Sequence, residues 1–479
     1  MKRIAILLMF IVMASVCWSA AITSAAELIA QMGNAGPHTI ASGLYTLTED
    51  LDITGADWDL TLLGDVVIDG DSNTYEVTVD ADAEFNVGGV YQLTFSDMIA
   101  GVRVLATAAG HKVTFNKTNF TTSGTNGLQA NAAIAGETAI ICNDCKAYNN
   151  DDDGFSLVGT ATGSNIAMIL NRCEAYWNDN VAGGGAGGGG SAGDGATAHA
   201  ANQSIIINGG SYHNNGKTGV AITGTSSLSA SGATFRDNGQ VVAEAPNADV
   251  RVEQSRHAVI RNCTFSCTSG TGGLIPFIYS GEVPAADGSK GVSITDCTFN
   301  CANYNGYSGN IILLYPNNAT TNYNYITNCL MYNIPTDKYG IYSYSDVVAG
   351  VISNCTFSGT GAVMYLRSDN LVVTKCVFDM TGASTYNGIR CAADEYSVND
   401  LNGLNIFYGQ SDADMSDYFA GVGSGPKLSD TEANPLFIDK TNGDFRTRDI
   451  SPCYLADGDR IGIDSSIIGS SGRRGRYTQ

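Results

Sequence analysis

The segment Tyr148-Asn-Asn-Asp-Asp-Asp-Gly-Phe155 concentrates side chains that could do chemistry. A sequence repeat, described below, places two further acids close to it on the neighbouring repeat. Carboxylate and amide oxygens are the ligands that Ca²⁺ takes in proteins, and neighbouring carboxylates repel one another unless a cation lies between them. A calcium site is therefore predicted, with a solvated acidic turn as the alternative. The candidate ligands are Asp151, Asp152, Asp153, Asp179 and Asp194.

Aromatic residues accompany these acids. The register of the repeat puts Tyr148, Tyr176 and Tyr212 in one column, with Trp177 and His213 beside it. Aromatic rings at such positions could stack on sugar rings, which predicts a polysaccharide-binding surface. The alternative is an aromatic stack that only holds neighbouring strands together.

The elements that must position these side chains follow from one recurring motif. Its clearest copy is Ile294-Thr-Asp-Cys297-Thr-Phe299. The apolar Ile294 is followed by a polar bend, and the small Cys297 and the aromatic Phe299 then lie two positions apart. Residues two apart on a strand share a face, so the small and aromatic residues of each copy point inward together. Successive copies lie 21 to 36 residues apart. Residues aligned with Cys297 are Thr118, Cys145, Cys173, Gly209, Ala233, Cys263, Cys329, Cys355 and Cys376.

A repeat of this length, with small inward residues and Asn or Asp at the bend, predicts a stack of parallel β-coils. The pattern resembles the right-handed parallel β-helix proteins, the superfamily that includes pectate lyases, over residues 40–410. We predict an all-β fold, a right-handed parallel β-helix of roughly a dozen coils with an N-terminal cap, in which residues 26–32 form a short helix. The segments Asn434–Asp439, Asn442–Arg446 and Ser451–Cys453 are similar to the terminal segment that closes exported bacterial β-helix proteins.

The turn Asp153-Gly-Phe is similar to turns at the calcium sites of β-helix polysaccharide lyases, and this resemblance implies Asp152 and Asp153 as ligands. In those enzymes Ca²⁺ acidifies a proton next to a uronate carboxylate, and a basic residue removes it. The equivalent strand here is Gly195-Ala-Thr-Ala-His199, which has no lysine. Lys217 and His199 are the remaining candidates for a catalytic base, although a solvated lysine and a strand-end histidine would look the same.

These patterns predict an extracellular carbohydrate-associated β-helix that binds a polysaccharide or cell-surface glycan, with Ca²⁺ as the candidate cofactor. Two alternatives stay open: a calcium-dependent lyase of an acidic glycan, and a purely structural or adhesive protein. If the protein is an enzyme, a lyase is favoured over a glycoside hydrolase, because acid pairs are too abundant to mark a hydrolase site. The sequence does not predict an oligomeric state.

Charge and targeting signals narrow the class of protein. The formal net charge is -22, so the chain lacks the basic face that nucleic-acid binding requires. Lys2 and Arg3 precede an apolar run that predicts a secretory signal peptide and no membrane span after its removal, hence a secreted or cell-surface protein. The expected divisions are residues 1–26 (signal), 27–112 (cap and first coils), 113–410 (repeat array) and 411–479 (closing segment and tail).

Most cysteines occupy the inward column, where stacked residues lie about 4.8 Å apart, farther than the Cβ atoms of a disulfide. They are predicted to be buried thiols. Cys142-x-x-Cys145 fits two ordinary positions of the repeat and needs no metal or redox role. Cys267 and Cys301 share an offset on neighbouring coils and are the best disulfide candidate.

Overall fold

The structure is a computed structural model. The residues that it describes are 21–55, 57–106, 111–132, 137–159, 165–179, 193–224, 226–239, 248–253, 257–268, 276–281, 291–304, 309–314, 323–344, 348–367, 371–381, 389–391, 404–409, 419–420, 431–432, 435, 437–440 and 444–447. Residues 1–20 of the predicted signal segment, the glycine-rich stretch 183–190 and most of 411–479 lie outside this set.

Three long parallel sheets form the molecule, and each turn of the chain adds one strand to each of them. Sheet A consists of Gly36–Ile40, Trp58–Leu62, Ala83–Phe85, Lys112–Asn116, Glu137–Asn143, Asn165–Asn171, Gln203–Asn208, Ser227–Ser231, His257–Arg261, Val292–Thr295, Tyr323–Thr327, Ala349–Ser353 and Leu371–Thr374. Sheet B consists of Gly43–Thr46, Val66–Asp69, Leu93–Ser96, Thr118–Thr121, Lys146–Tyr148, Glu174–Tyr176, Ser211–His213, Thr234–Arg236, Thr264–Ser266, Thr298–Asn300, Leu330–Ile334, Thr356–Gly359, Val377–Asp379, Ile406–Tyr408 and Thr431–Glu432. Sheet C consists of Leu51–Ile53, Val77–Val79, Val102–Ala106, Leu128–Ala132, Phe155–Leu157, Ala196–Ala198, Val220–Ile222, Val250–Val252, Ile278–Ser280, Asn310–Leu314, Tyr339–Ser343, Ala362–Leu366, Ile389–Cys391 and Phe419–Ala420. The predicted right-handed parallel β-helix is confirmed.

A short helix, Ala25–Ala30, covers the N-terminal end of the stack. Ser24 caps it by accepting a hydrogen bond from the backbone N–H of Glu27, and Leu28 is fully buried against the first coil. The helix shields apolar residues of the first coil that have no coil before them. It falls within one residue of the predicted start. Within the described part of the chain, no helix is long and apolar enough to cross a membrane.

The interior consists of ladders of like side chains from successive coils. One ladder stacks Tyr212, Phe235, Phe265 and Phe299, with ring centroids 4.8 to 5.5 Å apart. Such offset stacks add to the gain from burying apolar surface. The sequence predicted this inward column, with the exception of Tyr212.

The bend between sheets A and B explains why Asn and Asp recur there. The residue just before the small inward residue has a positive φ on every described coil from Lys117 to Lys375, for example 53° at Asn262 and 57° at Asp296. Asn and Asp adopt this left-handed conformation more readily than other non-glycine residues. Each bend turns the chain sharply, so that sheets A and B enclose one core.

The described inward cysteines are buried thiols, as predicted. Their Sγ atoms donate to backbone carbonyls, as Cys297 does to Thr295 at 3.3 Å. Burial raises the pKa of Cys297 well above its usual range, which keeps the thiol protonated and unreactive. The Cys267–Cys301 disulfide prediction is wrong, since the structure has both residues as thiols. Cβ atoms stacked on adjacent parallel coils lie about 4.8 Å apart, beyond the roughly 3.5–4.5 Å between the Cβ atoms of a disulfide.

One register prediction is also wrong. Asn171 pairs with Asn208 and Ala175 with Tyr212, so Gly210, not Gly209, is equivalent to Cys173. A slip of one residue reverses the face of a strand. Tyr212 is therefore a fully buried core residue and cannot contact a ligand, and His213 takes its place in the outward column.

In the C-terminal segment, Phe419–Ala420 and Thr431–Glu432 extend sheets C and B, and Phe437–Asp439 forms an antiparallel hairpin with Asp444–Thr447. Phe445 packs on Tyr332, with ring centroids 5.4 Å apart, and on Leu330. This hairpin therefore lies on the outer side of sheet B. The prediction had this segment closing the end of the coil stack.

Candidate functional site

The predicted acids meet at the turn between sheets B and C, a region called here the acidic turn and defined by Asp151, Asp152, Asp153, Asp179 and Asp194. Backbone hydrogen bonds fix their order along the stack: Asp151 N donates to Ser123 O at 3.0 Å, and Asp179 N donates to Asn150 O at 2.8 Å. The parallel register therefore brings acids from two successive coils together, as the sequence predicted.

Asp153 holds the next coil in place. Its Oδ1 accepts hydrogen bonds from the backbone N–H groups of Gly193 and Asp194, at 3.3 and 3.0 Å. Its Oδ2 accepts one from Ser156 Oγ at 3.3 Å. Burial, followed by the charges of Asp194 and Asp152, raises the pKa of Asp153 well above its usual range.

The other acids share this electrostatic strain. Burial raises the pKa of Asp152, with a further contribution from the charge of Asp194. Burial, followed by the charges of Asp152 and Asp151, raises the pKa of Asp179 to about 6. Carboxylates packed this closely out of water disfavour one another's charged forms. Binding of a proton, a cation or a hydroxyl-bearing ligand would therefore stabilise the acidic turn.

The calcium prediction can be tested against the oxygen atoms that remain available. Oδ1 of Asp194 is buried and has no hydrogen-bond partner among the described residues, so this oxygen is a candidate metal ligand. Both oxygens of Asp153 are already used. Among the residues that the structure describes, no group of three or more His, Cys, Asp or Glu side chains is arranged to hold a metal ion. These donors alone do not complete a calcium site.

The acidic turn rests on a buried asparagine ladder that the sequence analysis missed. Asn150 Nδ2 donates to Asn178 Oδ1 at 2.9 Å, and Asn178 Nδ2 donates to Asn215 Oδ1 at 2.9 Å. Asn215 Nδ2 donates in turn to Asn238 Oδ1 at 2.8 Å. Each amide also donates to a strand carbonyl, as Asn178 does to Ala147 O. The signal was present as an Asn at the same offset in four successive repeats.

The outward aromatic column lies on sheet B, next to the acidic turn. The rings of Tyr148 and Tyr176 stack 4.9 Å apart, and those of Tyr176 and His213 stack 5.1 Å apart. Both faces of Tyr176 are therefore covered by neighbouring rings. This arrangement supports the lateral-stack alternative for Tyr176.

Trp177 differs from its neighbours in that column. Its indole is 44% exposed and meets the Tyr176 ring edge-on, at 5.1 Å and 76°. Its φ is 56°, a left-handed conformation that is unusual for a bulky side chain. The equivalent residues on the adjacent coils are Asn149 and Asn214, with φ values of 56° and 55°.

The two candidate bases approach the acidic turn from the next coil and from sheet C. Burial raises the pKa values of Asp152, Asp179 and Asp194, and Lys217 lies near enough for its charge to offset part of that rise. His199 is exposed, and its ring nitrogens lie 2.7 Å from Thr197 Oγ1 and 3.2 Å from Thr223 Oγ1. Burial raises the pKa of Asp194, and interactions with Lys217 and His199 oppose that rise, so the structure brings both candidates to the same carboxylate.

Comparisons with known proteins do not identify a family for this chain. No protein-family profile matches the sequence, and no curated protein matches it. Among solved structures, the chain is similar to the A-module of the mannuronan C-5 epimerase AlgE6 of Azotobacter vinelandii, with a TM-score of 0.40 and 15% identity, covering 74% of this chain and 94% of that one. It is also similar to the A-module of the mannuronan C-5 epimerase AlgE4 of the same organism, with a TM-score of 0.32 and 14% identity, covering 86% and 100%. Similarity this low carries no information about the chemistry of the acidic turn.

Proposed function

We propose that this protein is an extracellular, carbohydrate-associated β-helix that binds a polysaccharide across the acidic turn. Trp177 is the observation that carries the proposal. A left-handed backbone costs a bulky residue about 1–3 kcal/mol, and such strain persists mainly where function requires it. Here it leaves an indole exposed at the edge of a cluster of carboxylates.

The Trp177 indole and the carboxylates of the acidic turn could contact different groups of the same sugar. An exposed indole offers an apolar face to the C–H groups of a sugar ring. The carboxylates of Asp152 and Asp179 can accept hydrogen bonds from sugar hydroxyls, with Lys217 beside them as a donor. Hydroxyl groups of a bound sugar would donate hydrogen bonds to Asp179 and so offset the burial that, with the charges of Asp152 and Asp151, raises its pKa.

The test is a glycan array probed with wild-type protein and with Trp177→Asn. Asn occupies this position on both adjacent coils, so the variant should fold at least as well as the wild type. Binding to the recognised glycan is expected to be lost while the melting temperature stays the same or rises. Tyr325→Ala, which removes an aromatic residue of similar exposure (42%) on sheet A, is the matched control. Full retention of glycan binding by Trp177→Asn would overturn the proposal.

A second candidate function is β-elimination of an acidic polysaccharide. It is supported by the approach of Lys217 and His199 to one buried carboxylate, Asp194. The base would take the proton next to a uronate carboxylate, and the C–O bond of the glycosidic link would then break. A purely structural or adhesive role requires neither glycan binding nor elimination. The glycan array and an assay for unsaturated products therefore separate the three candidate functions.

A further inference from the structure

A half-open pocket of about 540 Å³ lies on the outer face of sheet A, at the end where its strands begin. This is the corner between sheets C and A, whereas the acidic turn occupies the corner between sheets B and C. The residues that line the pocket belong to successive coils rather than to one loop. The pocket is thus a separate feature of the solenoid surface.

The strand register shows that this pocket is a groove along the solenoid axis. One residue from each of five successive coils lines the pocket, and each pairs with the next across the sheet. These residues are Lys112, Ala139, Ala167, Ser204 and Ser227. At about 4.8 Å per coil, this row is about 19 Å long. Its side chains are small in the middle, which leaves room for an extended ligand.

A second row supplies polar groups along one rim. Glu137 pairs with Asn165 one coil further on, and Asn202 lines the pocket on the coil after that. Ser204 and Ser227 hydroxyls lie 2.8 Å apart at the far end of the groove. Carboxylate, amide and hydroxyl groups in a row can both donate and accept hydrogen bonds.

Gln203 provides the independent sign that a ligand belongs here. Its side chain is only 2% exposed, and its Oε1 accepts a hydrogen bond from the backbone of Ala200 at 3.0 Å. Gln203 is one of the lining residues of this pocket, and its buried Nε2 has no hydrogen-bond partner among the described residues. A buried donor without an acceptor is costly to a protein, and an oxygen of a bound ligand would satisfy it.

We propose that this groove binds a linear, uncharged oligosaccharide, with the sugar chain parallel to the solenoid axis. Lys112 and Glu137 balance each other, so the lining favours neither an anion nor a cation. Ala139 and Ala167 give an apolar floor for the C–H faces of sugar rings, and the rim gives partners for their hydroxyls. The proposal does not depend on glycan binding at the acidic turn, because the two surfaces share no residue.

The test is saturation-transfer NMR on the full protein with cellotetraose, maltotetraose and xylotetraose as probes. Ala167→Trp fills the middle of the groove from an outward position, and Ser227→Tyr fills its end if the first variant fails to fold. Gln203→Met keeps the side-chain length but removes the unpaired N–H. Tyr325→Ala, at an exposed aromatic residue outside both surfaces, serves as the control. Trp177→Asn tests whether a probe binds at the acidic turn instead.

At least one tetrasaccharide is expected to bind the wild type and Tyr325→Ala equally. Binding should be lost when the groove is filled, and should weaken about tenfold in Gln203→Met, the usual effect of one hydrogen bond. Absence of signal for all three probes at millimolar concentration overturns the proposal, as does binding that survives in a folded groove-filling variant. Loss in Trp177→Asn alone would place the sugar at the acidic turn and would also overturn it.

Discussion

The backbone N–H of Asp194 donates a hydrogen bond of 3.0 Å to Oδ1 of Asp153, one coil earlier. Asp153 therefore positions the loop that brings Asp194 to the acidic turn. Asp153 is a positioning residue, while Asp152, Asp179 and Asp194 keep oxygens for a ligand. This division of roles leads to different expectations for substitutions at neighbouring aspartates.

The stability of the fold should depend on pH through Asp179. Its folded pKa of about 6 lies above the usual value of 3.8, so its contribution is most favourable below pH 3.8 and is lost as the pH rises through about 6. A shift of this size corresponds to about 3 kcal/mol at most. Asp179→Asn is thus expected to raise the melting temperature at pH 7.5 and to change it little at pH 4.

Asp144→Asn is the matched control for that measurement. The hydrogen bond from Arg172 lowers the pKa of Asp144, so its contribution is present at neutral pH and is lost as the pH falls. This variant should lose stability at pH 7.5, by a small amount because the pair is exposed. If both variants respond alike to pH, the assignment of the pH dependence to Asp179 is incorrect.

Calcium binding remains a prediction and can be measured by melting curves with added Ca²⁺ and with EDTA. Ca²⁺ is expected to raise the melting temperature at pH 7.5, because it would neutralise the repulsion within the acidic turn. Asp152→Asn and Asp194→Asn should abolish the increase. Superimposable curves with Ca²⁺ and with EDTA would show that the acidic turn binds no calcium.

The buried asparagine ladder is expected to stabilise the fold more than an exposed one. Asn178→Ala leaves Asn150 Nδ2 without its acceptor and Asn215 Oδ1 without its donor, at a cost of about 2–4 kcal/mol. Asn143→Ala cuts a ladder of the same geometry on the half-buried outer face of sheet A and should cost less than about 1 kcal/mol. Urea denaturation measures both, and equal losses would mean that burial does not set the ladder's contribution.

Elimination can be followed by the absorbance of unsaturated products released from pectate and alginate. We expect no more than slow product formation, since the strand equivalent to the lyase lysine ends in His199. A clear rise in absorbance that Lys217→Ala abolishes would instead assign lyase activity to the acidic turn. His199→Ala, examined beside it, shows which of the two residues removes the proton.

The sequence predicted the fold because Cys297 and Phe299 recur at a fixed offset that only a strand can explain. The same register correctly brought Asp152 and Asp179 together. Tyr212 was misplaced because Gly210 has no side chain to mark the inward position, although Asn208 continues the column of Asn116, Asn143 and Asn171 and could have corrected it. Asn178 was missed because a buried asparagine looks like a turn residue until the amide of the next coil is seen beside it.

The two asparagine ladders run in opposite directions, and each ends on a carboxylate. The inner ladder donates toward the C-terminal coils and ends where Asn238 Nδ2 meets Asp249 Oδ1 at 2.6 Å. The outer ladder donates toward the N-terminal coils and ends where Asn116 Nδ2 meets Glu84 Oε1 at 2.8 Å. An amide can pass a hydrogen bond on, but an ionised carboxylate can only receive one. Glu84 and Asp249 thus accept the last hydrogen bonds of two amide ladders whose polarities oppose each other along the solenoid axis. Burial raises the pKa of Asp249 to about 7, so the inner ladder ends on a group that can exchange its proton near neutral pH.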